Sequence, residues 1–173
     1  MVDILIDAIA NVRRELKFFE DVASRYGLRL DVNGEEEVSE GVRRYRKLFF
    51  GAGEEIERHK LEFLDGLVVL WGTEKCYLEA WRYAASQSSS VKTGEEDADG
   101  GALRKEFIPN WTSREFEAFV DRLGWFVDEV WKADRTVMGR EIGEMEKKAW
   151  ERKVEGLWGE LLEVERVFWP SIE

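Results

Sequence analysis

One cysteine, one histidine and two prolines in 173 residues set several kinds of protein aside. Cys76 alone can form no internal disulfide framework and no cysteine-rich zinc site, so a reducing compartment is the expectation. His59 stands in the charged run Glu54-Glu-Ile-Glu-Arg-His-Lys60 and reads as part of a solvated face. The residue three before it is Ile56, so the Glu-x-x-His pair of a di-iron bundle is missing, and its surroundings are unlike those of a haem ligand. Neither a metal nor a cofactor is expected. No apolar run approaches the ~18 residues of a membrane span, and Asp3 and Asp7 interrupt the apolar start where a signal peptide would need continuity. Base is also in short supply: the net charge is −11, and Arg43-Arg44 and Lys147-Lys148 have acidic neighbours. Phosphate contacts need clustered Lys and Arg, so a nucleic-acid partner and an anionic membrane surface are both disfavoured. A cytoplasmic protein is the expectation.

What the chain does have is apolar residues at helical spacing. Hydrophobic residues make up 44% and charged residues 36%, and with so little proline this favours helices. The length suits one domain, residues 1–173, and the eight tryptophans supply large apolar area for its core. Leu5, Ile9, Val12, Leu16, Phe19, Ala23 and Tyr26 alternate at spacings of four and three, the buried stripe of one amphipathic helix that Gly27 stops. A second helix is predicted around Val38 to Phe50, led by Ser39 or the acidic run before it and ended by Gly51 and Gly53. A third runs from about Glu54 to Ala85, with Gly66 or Gly72 as the place of any break and Leu67 to Trp71 as its buried middle. From Gln87 to Ala102 the composition turns to Ser, Gly, Glu and Asp, which predicts a mobile acidic loop. Thr112 and Glu115 read as a capping box opening a helix through Val130, and a last helix spans about Met138 to Phe168 before Pro170.

Three segments carry a family resemblance. Trp71-Gly-Thr-Glu-Lys-Cys-Tyr-Leu-Glu-Ala-Trp-Arg-Tyr-Ala84 looks like the central helix of TenA (thiaminase II) proteins, where a turn of small residues and tyrosine lines the substrate cavity. Phe107-Ile-Pro-Asn-Trp-Thr-Ser-Arg-Glu-Phe116 is similar to the start of a later helix of that family, and Glu165-Arg-Val-Phe-Trp169 to its terminal Glu-x-x-Phe-Trp signature. The order and approximate spacing agree over most of the chain. The resemblance implies an all-α, haem-oxygenase-like helical bundle of about five helices, commonly assembled as a homo-oligomer.

It also implies roles. Glu165 corresponds to the catalytic glutamate that handles protons at the amino group of a bound aminopyrimidine, and Tyr77 to the cavity tyrosine that orients it. Tyr45, Thr73, Trp111 and Glu79 fall where substrate contacts are made. The sequence itself supports a special setting for Glu165, because Trp158, Leu161, Leu162, Phe168 and Trp169 flank it at helical spacings. A carboxylate on such a face must find a partner or shift its protonation. The bland alternatives are a boundary ion pair or helix cap for Glu165 and ordinary core packing for the tyrosines.

Two departures bear on activity. Aligned on Tyr77 and Glu79, Thr73 occupies the position of the family's cysteine nucleophile, so the chain is closer to the branch lacking that thiol. Cys76, three residues on, is the candidate replacement, with an inert buried thiol as its simpler reading. The front helices whose aspartate and aromatic cluster grips the pyrimidine have no counterpart before Leu5: either the chain begins part-way through the family's domain, or the fold has been kept and part of the site lost. The functions implied are therefore hydrolysis or binding of an aminopyrimidine in thiamine salvage, with C–N cleavage releasing ammonia, or else a non-catalytic helical interaction or regulatory domain.

Overall fold

A computed structural model describes residues 2–30, 38–57, 63–88, 97–137 and 143–169. Among them every regular element is helical and no strand occurs, so the chain is all-α. The helices are α1 (Val2–Tyr26), α2 (Glu40–Glu57), α3 (Phe63–Ser88), α4 (Ile108–Trp111), α5 (Arg114–Val137) and α6 (Glu144–Phe168). A π-helical turn, Leu103–Phe107, leads into α4. His59, the Glu35–Glu37 run and Pro170 lie outside the described residues. No described helix is long and apolar enough to cross a membrane.

The boundaries follow from local chemistry. Gly27 takes a positive φ of 65°, and the Leu28 amide donates back to the Ala23 carbonyl at 2.9 Å, so α1 closes where the sequence places its stop. Ser39 caps α2 by accepting from the Val42 amide at 3.2 Å. α2 does not end at Gly51 or Gly53 but runs to Glu57, because a glycine weakens a helix by only about 1 kcal/mol and stops it only when the next turn leaves the helical region. Gly66 and Gly72 likewise leave α3 unbroken. The predicted capping box shifts by one residue: Thr112 spends its hydroxyl on the Ile108 carbonyl of α4 at 2.8 Å, and Ser113 accepts from the Phe116 amide at 3.2 Å to cap α5. Of the predicted acidic loop, Gln87 and Ser88 finish α3, and residues 97–102 make an ordered turn. There Asp99 accepts from the amides of Gly101 and Leu103, which holds its carboxyl below the usual range, and Arg104 pairs with Asp97 at 2.6 Å.

Contacts divide the chain into two compact units, Met1–Val32 with Tyr77–Arg122, and Asn33–Cys76 with Leu123–Glu173. The first unit buries Val22, Leu78, Trp111, Phe119 and Val120, and Arg25 and Tyr26 at the end of α1 both donate to Glu106 of the π-helical turn. Only the end of the predicted α1 stripe is buried. Ala23 is 6% exposed, whereas Ile9, Val12 and Leu16 are 65%, 55% and 62% exposed, so the first turns present their apolar ladder to solvent. The second unit packs Leu48 of α2, Val69 of α3, and Leu161 and Val164 of α6 into one cluster, with Tyr45, Cys76, Leu157 and Trp158 against it. Each such aliphatic side chain contributes roughly 1.5–3 kcal/mol on full burial. Glycines set the spacing here: Gly41 faces the backbone of Val167 and Phe168, Gly72 faces Leu161 and Trp158, and Gly124 faces the Trp71 indole.

Candidate functional site

The second unit builds its site on the close approach at Gly41. With no side chain there, α2 lies against the α6 backbone, and Tyr45, one turn further along the same face, reaches Glu165. The Tyr45 hydroxyl donates to Glu165 Oε1, and the Trp169 indole N–H donates to Oε2 at 2.6 Å. Tyr45 is held edge-on to Phe168, with ring centroids 5.0 Å apart, and lies against Phe49 at 5.9 Å. Glu165 is 6% exposed, so desolvation dominates its titration. Burial raises its pKa, and the bonds from Tyr45 and Trp169 oppose the rise without cancelling it. The carboxylate thus has partners and a shifted protonation together, the two outcomes its sequence setting allowed.

Cys76 packs against the same cluster. Burial and then the Glu165 carboxylate push its thiol up to about 11, where the reactive thiolate is scarce at neutral pH. Burial and the neighbouring carboxylate thus both disfavour the thiolate of Cys76. Thr73, at the family's cysteine position, donates its hydroxyl to the Val69 carbonyl at 2.9 Å, a bond within its own helix.

Tyr77 and Trp111 belong to the first unit, in an aromatic cluster of its own. Trp111 stacks on Trp81 at 5.1 Å and on Phe107 at 5.7 Å, and Tyr77 and Phe18 meet its edge at 5.5 Å each. The Trp111 N–H donates to Glu15 at 3.3 Å. Glu79 is exposed and accepts from Arg82 at 3.1 Å, a surface ion pair of little energetic weight. The structure thus joins Tyr45, Cys76 and Glu165 within one unit, and Tyr77 with Trp111 within the other.

Sequence reasoning passed over Gly41 and Glu15, and it counted Trp169 only as an apolar neighbour of Glu165. The signal for Trp169 as a donor was present, since four residues separate it from Glu165 on one helix. Among the described residues no group of three or more His, Cys, Asp or Glu is placed to hold a metal ion. Three surface grooves among the described residues are lined by residues other than Glu165.

The raised carboxyl has a measurable consequence. Its folded-state pKa lies above the ordinary 4.5, so folding takes up a proton between the two values. The associated stability is fully present below about 4.5 and is lost as pH rises through the folded value. Denaturant unfolding from pH about 4 to about 8 is expected to show the native chain losing stability relative to Glu165→Gln as pH rises. A pH-independent difference would refute the assignment.

The chain is similar to a protein of Fusarium pseudograminearum (strain CS3096) named "Probable transcription factor", at 29% identity over 166 residues. The match covers 80% of this chain and 32% of that protein, so the chain spans about a third of its relative's length. No family model matches the chain, and no solved structure matches it.

Proposed function

We propose that this chain is a TenA-like helical interaction or regulatory domain that works without catalysis. The observation that carries the reading is the engagement of Glu165 in packing: both its buried carboxylate oxygens accept from the protein's own Tyr45 and Trp169, which tie it into the contact of α2 with α6. Two further features support it. The thiol packed against the site is held protonated by burial, and the similar Fusarium protein is named "Probable transcription factor". The partner would be a protein or a small molecule, since the charge of −11 opposes nucleic acid and anionic membranes. The exposed ladder Ile9, Val12 and Leu16 supports self-association, and a lone half-buried cysteine suits the reducing cytoplasm.

A second reading keeps the chemistry: aminopyrimidine binding or hydrolysis, with Glu165 as acid/base and Tyr45 as its orienting donor. The raised pKa of Glu165 favours it, because an acid/base group works best when its pKa lies near the working pH. Incubation with 4-amino-5-aminomethyl-2-methylpyrimidine separates the two readings. The regulatory reading expects no ammonia above the buffer rate, from the native chain or from Glu165→Gln. Ammonia release by the native chain that Glu165→Gln abolishes would replace it with the hydrolase reading.

A further inference from the structure

Glu15 is a half-buried carboxylate that the Glu165 site does not use. It lies on α1, in the first unit, one turn after Asn11 and one before Phe18. Burial raises its pKa against the opposing effects of the Trp111 hydrogen bond and the charge of Arg14. The Trp111 N–H approaches it at 3.3 Å, a long bond, and a carboxylate has room for about four such donors. The guanidinium of Arg14 is turned toward the Asn11 amide oxygen, to which it donates. Glu15 therefore carries a desolvation cost that its own partners only partly offset.

Beside it lies a groove of about 430 Å³, within the range of small-molecule sites at roughly 300–1,000 Å³. Phe18, Phe116 and Phe119 form its apolar walls, and Asn11, Arg14, Asn110, Ser113 and Glu115 its polar margin beside Glu15. Ser113 is fixed there because it caps α5. A second hollow of about 630 Å³ shares Asn11, Arg14, Glu115 and Phe119 with the first and continues to Asp7 and Arg122. Arg122 is already paired with Asp7 at 3.2 Å. An anion entering the groove would meet Glu15 and Glu115 against the cation Arg14, whose guanidinium is turned toward Asn11. A cation would gain a desolvated carboxylate and aromatic faces, where cation–π attraction adds roughly 0.5–2 kcal/mol.

We propose that this groove binds a flat aromatic cation, an amidinium or ammonium carried on a six-membered ring, with its charge on Glu15 and its ring among Phe18, Phe116 and Phe119. The inference does not rest on the reading of Glu165, which belongs to the other unit. Benzamidine is the probe, titrated into the full chain by calorimetry and by tryptophan fluorescence, since Trp111 is bonded to Glu15. One-to-one saturable binding is expected, with a Kd on the order of 1 mM for so small a ligand. Glu15→Gln keeps an acceptor for Trp111 and is expected to weaken binding about tenfold, the cost of a charged hydrogen bond. Glu129→Gln, at an exposed carboxylate of the second unit, should leave binding unchanged. Phe116→Leu, which removes one aromatic wall at a partly exposed position, should also weaken it and serves if Glu15→Gln fails to fold. Absence of saturable binding, binding indifferent to Glu15→Gln, or equal binding of neutral benzyl alcohol or of benzoate would each overturn the proposal.

Discussion

Gly41→Ala is expected to lower the melting temperature sharply, although alanine is the better helix former. A Cβ at Gly41 would stand 2.8 Å from the Phe168 amide nitrogen and the Val167 carbonyl oxygen, and closer still to the Phe168 Cα. All three are backbone atoms of α6, which cannot rotate aside, so α2 would have to move out. The intrinsic gain from Gly to Ala is about 1 kcal/mol, while overpacking of this kind costs typically 1–3 kcal/mol and occasionally more. Because a backbone is the obstacle, the upper part of that range applies, and the net loss should be about 2 kcal/mol. For a chain of this size that is roughly 4–8 °C in melting temperature. Gly51→Ala in the same helix is the control, since nothing lies within 4 Å of its would-be Cβ. It should leave stability unchanged or raise it by up to about 1 kcal/mol. Equal effects at the two positions would show that Gly41 is not a point of contact. Displacing α2 should also loosen the Tyr45 bond to Glu165, so the pH dependence of stability should shrink in Gly41→Ala.

Lys153→Met is expected to be the most damaging change at a side chain. Asp65, at the start of α3, is 0% exposed, and the Lys153 ammonium of α6 donates to its Oδ2. Removing one partner of a buried ion pair weakens the compensation of the other charge and costs typically about 3–5 kcal/mol. Lys153 keeps about a third of its side chain in contact with water, so the lower end of that range is expected, about 3 kcal/mol. Asp65→Leu with Lys153→Met removes both charges and should recover most of the loss, because a well-packed apolar pair is often as stable as the ion pair it replaces. Chemical denaturation of the two single variants and the double variant closes the cycle. Additive losses in the double variant would mean that the pair is not coupled.

The helices were legible because apolar spacing is a local property. Gly27 announces the end of α1, and Leu67 to Val69 announce the buried turn of α3. Errors arose where two signals competed within one turn. Thr112 and Ser113 are both good caps, and only the preceding α4 decides that Thr112 is spent on Ile108. The α1 ladder also misled, since periodicity identifies an apolar face without saying which turns another element covers.

The setting of Glu165 could be read in part. Its apolar face and Trp169 are within one helical turn, but Tyr45 is 120 positions away and arrives only because Gly41 lets two backbones meet. Glu15 gave no local sign, because a single acid on a charged helix is indistinguishable from solvated charge until Trp111 closes over it. The roles suggested for Tyr77 and Trp111 rested on likeness to other chains, whereas the structure shows their packing with Trp81 and Phe107.

The tryptophans stack in pairs inside single units: Trp81 with Trp111 in the first, and Trp71 with Trp158 and Trp131 with Trp150 in the second, the last with ring centroids 4.0 Å apart. Indoles this close couple their electronic transitions, so near-ultraviolet circular dichroism carries a split signal from each pair that disappears when the rings part. Each unit thereby contains its own optical gauge, and replacing Trp81 by phenylalanine would silence the first unit's pair and leave the two pairs of the second to report alone.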